Sequence, residues 1–132
     1  MADTVSTVTA WNGKARGDYI TRFTNQSDGT GESAVAKIDV SALLNPAGRA
    51  ATKVQIERIE YAINGFNYVH IYWDRASDVT IAVLPLGSGV MDFTSFGGFN
   101  DPGAGGTGDV VFTTDGAIDG AAYDMTVYYR AQ

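Results

Sequence analysis

The residues able to do chemistry are few. His70 is the only histidine and there is no cysteine. A triad built on imidazole must use His70, which lies between Val69 and Ile71 in an apolar run. Ser88, in Gly87-Ser88-Gly89, lacks the G-x-S-x-G surroundings of a nucleophile elbow. A strand or interface histidine accounts for His70 without catalysis. Zinc sites draw on Cys and His, so one histidine and no thiol leave little to build one from. Asp92, Asp101, Asp109, Asp115, Asp119 and Asp124 all fall in the second half of the chain. A hard cation needs six to eight converging oxygens, but no D-x-D-x-D-G spacing is present and these positions suit turns. No carboxylate pair is singled out for glycoside hydrolysis. The expectation is no catalytic residue, no metal ligand and no cofactor.

Three further patterns have a functional and a plain account. Gly103 to Gly108 matches the dinucleotide fingerprint by letter. That motif works only between a strand and a helix, where phosphate meets a helix N-terminus. Here a loop precedes it and the strand-like Asp109-Val110-Val111-Phe112 follows, so a surface loop is the better account. Arg16-Gly17-Asp18 spells an adhesion tripeptide and sits where a turn is expected. Asn25-Gln26-Ser27 is a glycosylation sequon by pattern, without a secretory route. Trp11, Trp73, Tyr68, Tyr72, Tyr128 and Tyr129 could stack on sugars; in a sandwich, alternate aromatics more often form core or subunit interface.

The elements that position these residues are strands. Asn12-Gly13, Asp28-Gly29, Asn64-Gly65, Asp115-Gly116 and Asp119-Gly120 are hairpin-type dipeptides, because Asn and Asp tolerate positive φ and Gly has no Cβ to clear. Strands are expected at Thr4–Trp11 and, as its hairpin partner, Asp18–Asn25. Glu32–Leu43 alternates, with Ala34, Ala36, Ile38, Val40 and Ala42 on one face. Leu43–Thr52 is an irregular connection. In Lys53–Ile63 the apolar sets 54/56 and 59/61/63 are offset by one residue, which a strand bulged at Glu57-Arg58 explains. Tyr68–Asp74 and Val79–Leu86 are apolar on both faces, as in central strands or a subunit contact. Pro85 ends ladder pairing or marks an edge. Asp109–Thr114 and Tyr123–Arg130 close the domain.

About eight or nine short strands and no long helix give one all-β domain over residues 1–132, an antiparallel β-sandwich of jelly-roll type. The length is that of a single domain with its own core. A net charge of −6 repels phosphate backbones, which argues against nucleic acid. The N-terminal MADTVSTVTAW has no basic n-region or apolar h-region. No apolar run approaches the ~20 residues of a membrane span. Synthesis in a host cytoplasm, with no membrane partner, is therefore expected.

Trp73-Asp74, Met91-Asp92-Phe93, Phe96-Gly97-Gly98, Pro102, Thr107-Gly108-Asp109, Thr113-Thr114-x-Gly116 and Tyr123 occur in this order over the last 75 or so residues. In that order they resemble small virion structural proteins of tailed, cyanophage-like bacteriophages, most of all capsid decoration or cement proteins. The resemblance implies a non-enzymatic sandwich on the outer capsid surface that associates with itself, as a homotrimer, and with the major capsid protein. The alternatives are a carbohydrate-binding module of the same architecture, or a neck or tail component. Candidate contact residues are Val5 and Val8 on an extended arm over residues 1–9, Phe96 and Phe99 in the loop to Gly108, and Tyr128. The competing account is a solvated tail and a loop packed by its own aromatics.

Overall fold

The computed structural model describes residues 4–11, 18–29, 31, 35–75, 79–100, 106–116 and 118–132. Among them lie eight strands: β1 (Thr4–Trp11), β2 (Asp18–Asp28), β3 (Val35–Ile38), β4 (Val54–Arg75), β5 (Val79–Asp92), β6 (Phe99–Asn100), β7 (Gly106–Asp115) and β8 (Asp119–Ala131). All pairings are antiparallel. Single 3-10 turns at Val40–Ala42 and Thr94–Phe96 are the only helical pieces among the described residues. The molecule is an all-β antiparallel sandwich.

The sandwich is one sheet curled on itself through the long β4–β5 pair. The first half of β4 pairs with β8 from Val54↔Ala131 to Asn64↔Ala122. Its second half pairs with β7 from Tyr68↔Asp115 to Arg75↔Gly106. β5 follows on the other side, opposite 58–63 through Asp92–Gly87 and opposite 68–73 through Pro85–Val79. Between the halves, Asn64–Asn67 of β4 face a single unpaired residue of β5, Leu86, which bends both strands together. The first layer is thus β1, β2, β8, β6, residues 54–63 of β4 and 87–92 of β5; the second is β3, β7, residues 68–75 of β4 and 79–85 of β5.

Asn64-Gly65 therefore corrects the hairpin expectation: it is a bend inside one strand. Gly65 has φ +86°, and a Cβ there would lie 2.8 Å from the Ala121 Cα. Only glycine provides both the left-handed backbone and the close approach of the neighbouring strand. Phe66, inside what reads as a turn, is 1% exposed and meets Tyr123 at 6.1 Å between ring centroids. Burial of that ring makes the bend part of the core.

Other expectations hold more closely. β1 and β2 form the hairpin pair. The register slips between Ile56 and Arg58 against β8, so Glu57 is the bulged residue. Its carbonyl accepts the Phe93 N–H at 2.9 Å. In β8, Tyr123, Met125, Val127 and Tyr129 are buried and their neighbours point outward. Pro85 lies within β5, which among the described residues pairs only with β4 and is an edge.

The expected strand over Glu32–Leu43 is shorter than its alternation suggests. Residues 32–34 lie outside the described residues, and the strand ends at Ile38. Asp39 accepts the Ser41 N–H and hydroxyl, which turns the chain into the 3-10 segment. Val40 N–H donates to the Asp109 carboxylate at 3.0 Å. Ile38 and Val40 are buried as expected, but Ala36 and Ala42 are exposed.

Between the layers, Phe23 meets Phe112 edge-on at 5.3 Å, and Phe112 meets Tyr123 at 6.1 Å. Trp73, Phe23, Phe66 and Phe112 are the largest fully buried side chains. These rings come from β4, β2 and β7, so burial of apolar area ties distant parts of the chain together.

Candidate interaction surfaces

Part of the motif behind the resemblance gathers at the end of the sandwich away from the β4 bend, whereas Thr113, Thr114 and Gly116 run up to Asn67 and Tyr123 packs on Phe66 at the bend itself. Trp73 is fully buried and stacks on Phe99 at 6.4 Å with 27° between planes; Phe99 meets Phe93 edge-on at 5.5 Å. Thr107 hydroxyl donates to Asp74 at 3.0 Å, and Asp109 N–H donates back to the Thr107 oxygen. Gly108, at φ +86°, lies so close to the Thr52 carbonyl that an added Cβ would sit 2.2 Å from it. The turn after Asp92 closes through Thr94, whose N–H and hydroxyl both donate to the Asp92 carboxylate. That pair of hydrogen bonds holds the Asp92 carboxyl below the usual carboxylate range.

Asp115 and Asp124 have local partners as well. Asn67 donates to Asp115 at 3.0 Å, and Arg22 makes a two-point contact with Asp124 at 2.9 and 2.5 Å. Asp119 starts β8 opposite Asp28. Asp101 lies outside the described residues. Among the described residues no group of three His, Asp or Glu side chains could hold a metal ion. His70 shares a hydrogen bond between Nε2 and the Thr80 hydroxyl at 2.8 Å, beside the Tyr72 ring at 4.7 Å. Tyr72 in turn shares one with Thr113 at 2.9 Å.

The aromatic residues do not form one platform. Trp73, Tyr72 and Tyr129 are buried. Tyr68 lies on the outer face of the second layer and Tyr128 on that of the first. Tyr128 donates to Glu60 at 2.7 Å and lies under the Arg58 guanidinium, 5.7 Å from the ring centroid. The hydrogen bond to Glu60 raises the Tyr128 pKa above its ordinary value. Trp11 lies on β1.

The candidate contact residues are spread over the molecule. Val5 and Val8 lie on β1, opposite Asn25 and Arg22; residues 4–9 of the proposed arm are thus strand-paired, and 1–3 lie outside the described residues. Phe96 ends the second 3-10 turn. Phe99 is half-buried against the core, opposite Ile56. Tyr128 belongs to the charged outer face. The Gly-rich loop lies outside the described residues at 101–105; from Gly106 the chain is strand, and no helix follows the fingerprint. Arg16 and Gly17 of the adhesion-like tripeptide, with Asn12-Gly13, also lie outside them.

Two further features belong to the surface. A shallow, open trough runs along the outer face of the first layer as two adjoining depressions of 370 and 420 Å³. Ala62 and Ser88 floor both, and Asp124 walls both. The second is the edge formed by β5. Val83, Leu86 and Val90 are 47, 58 and 53% exposed there. The apolar run by itself reads equally well as a central strand; Pro85 is the residue that points to an edge. Among the described residues no helix is long and apolar enough to cross a membrane. No protein-family model, characterised protein or solved structure matches the chain.

Proposed function

We propose that this chain is a non-enzymatic structural protein of a tailed-phage virion, binding the outer capsid surface as a decoration or cement protein. The observation that carries the reading is the use made of the motif residues behind the resemblance. Trp73, Phe93 and Phe99 stack; Asp74, Thr107 and Asp109 form one hydrogen-bonded chain; Gly108 permits a close backbone approach. These are contacts of a domain that acts by shape. A chain that binds the assembled shell and not its loose subunits stabilises the shell by mass action.

Immuno-electron microscopy of virions from the source culture, with antibody against the purified chain, tests this. Label spread over the head is expected, together with heads that lose heat resistance when the chain is stripped and regain it when it is returned. Label confined to the neck or tail would move the chain to those parts of the virion. Particles without label, with glycan binding by the purified chain, would replace the reading with the sugar-binding one.

A further inference from the structure

We infer that the free edge of β5 is a seam between two copies of this chain, paired antiparallel with Val83 of one opposite Val90 of the other. Among the described residues β5 pairs only with β4, so its second ladder of N–H and C=O groups is open from Val79 to Asp92. Such an edge recruits another strand unless it is short, charged, bulged or covered. Of the two opposite edges, β3 in the second layer is guarded, with four residues, Lys37 and a 3-10 turn after it, and β1 in the first layer is uncharged but shorter, with eight residues and no bend to match. β5 has fourteen residues and no charge from Val79 to Met91. A bulge at Ile81 lies toward one end, and Pro85 removes one donor. The rest of the edge is bare, with Val83, Leu86 and Val90 exposed.

A second copy is favoured over a foreign strand by the bend. β5 turns at Leu86 from one layer into the other. A partner strand must carry a matching bend at the matching place, and a second copy reversed about a two-fold axis between Leu86 and Gly87 does so by construction. The faces then agree. Val83 and Pro85 point outward, opposite His70 and Tyr68, and they meet Val90 and Ser88, which point outward opposite Glu60 and Ala62. Buried Ala82 and Leu84 meet core-facing Met91 and Gly89. The two exposed valines oppose each other twice. For a chain of net charge −6, an uncharged strand is also where like-charged copies approach at least cost.

The chain has no cysteine, so single-cysteine variants report the register directly. Val83→Cys and Val90→Cys are made separately, mixed and oxidised. Directly opposed Cβ atoms lie within disulfide reach, so the expected product is the mixed cross-link. Each variant alone should stay uncross-linked, because like positions lie seven residues apart along the strand, about 23 Å. Val35→Cys on β3 serves as the control. In parallel, light scattering should give a mass of two chains, and Val83→Lys should weaken association tenfold or more with an unchanged circular-dichroism spectrum. A monomer at every soluble concentration, a mass of three chains, or equal cross-linking of Val83→Cys with itself would overturn the seam. Head labelling is a separate readout: virions that bind a monomeric Val83→Lys chain would leave the capsid reading intact.

Discussion

The two halves of β4 carry the same kind of inner face and different outer ones. Inward, Ile56, Ile59 and Ile63 of the first half and Val69, Ile71 and Trp73 of the second are all buried. Outward, the first half presents Arg58 and Glu60, tied to each other at 3.2 Å and to Tyr128. The second presents Tyr68 and His70, the latter bonded to Thr80 of β5, above a buried Tyr72 bonded to Thr113 of β7. The core demands only apolar volume at every second position. The outer chemistry is set separately in each layer by which strand lies alongside, β8 or β7. Substitutions on the inner face should therefore act on stability, and those on the outer faces on association.

The largest effect should come from the shared core. Trp73→Ala removes the ring that joins Phe99 to the sandwich, and should cost about 3–5 kcal/mol in urea unfolding. A loss below about 1 kcal/mol would mean that the second half of β4 is not packed as described. The join between the halves is next. Gly65→Ala adds a Cβ against Ala121 at a positive φ and should cost about 2–4 kcal/mol. Gly87→Ala, where nothing lies within 4 Å, bears only the backbone penalty and should cost less.

Tyr129→Phe should cost about 1–2 kcal/mol, because it leaves the buried Thr21 hydroxyl without its 2.8 Å partner. Burial raises the Tyr129 pKa. Its neutral form is thereby favoured in the folded chain, so stability is level below the unfolded value near pH 10 and falls as pH rises through the folded one. The phenylalanine variant should flatten this alkaline fall, as followed by thermal melts.

The outer face should give the smallest change. Asp124→Asn removes a two-point contact with Arg22 whose side chains are 44 and 55% exposed, so less than about 1 kcal/mol is expected. The hydrogen bond from Arg22 lowers the Asp124 pKa. The associated stability is present above the unfolded value near pH 4 and is lost as pH falls through the folded one. The asparagine variant should show a shallower acid limb, and added salt should erase the difference.

Much of the fold is legible in the residues. Alternation in Tyr123–Arg130 and the offset of apolar sets at Glu57 both survive in the structure, because side-chain period and bulge are properties of one strand. The bend at Asn64–Asn67 was hidden. Asn-Gly marks a change of direction, but its local chemistry is the same whether the chain reverses or a strand changes layer. Phe66 in the middle was the available clue: a buried ring has no place at the tip of an exposed hairpin. The β5 edge was half legible: Pro85 points to an edge or to the end of pairing, while the apolar run around it reads alike whether both faces are covered or one meets solvent.

The sequence by itself determined an all-β sandwich, the ends of β2 at Asp28 and of β7 at Asp115, and a surface without thiol chemistry, since these depend on residue type and short-range spacing. Only the tertiary structure decided that β4 and β5 belong to both layers, that Trp73, Tyr72 and Tyr129 are spent on the chain's own packing, and that β5 ends the sheet uncharged and open. Those outcomes depend on which strand lies beside which, and long-range pairing is set by the summed burial of many residues far apart in the chain.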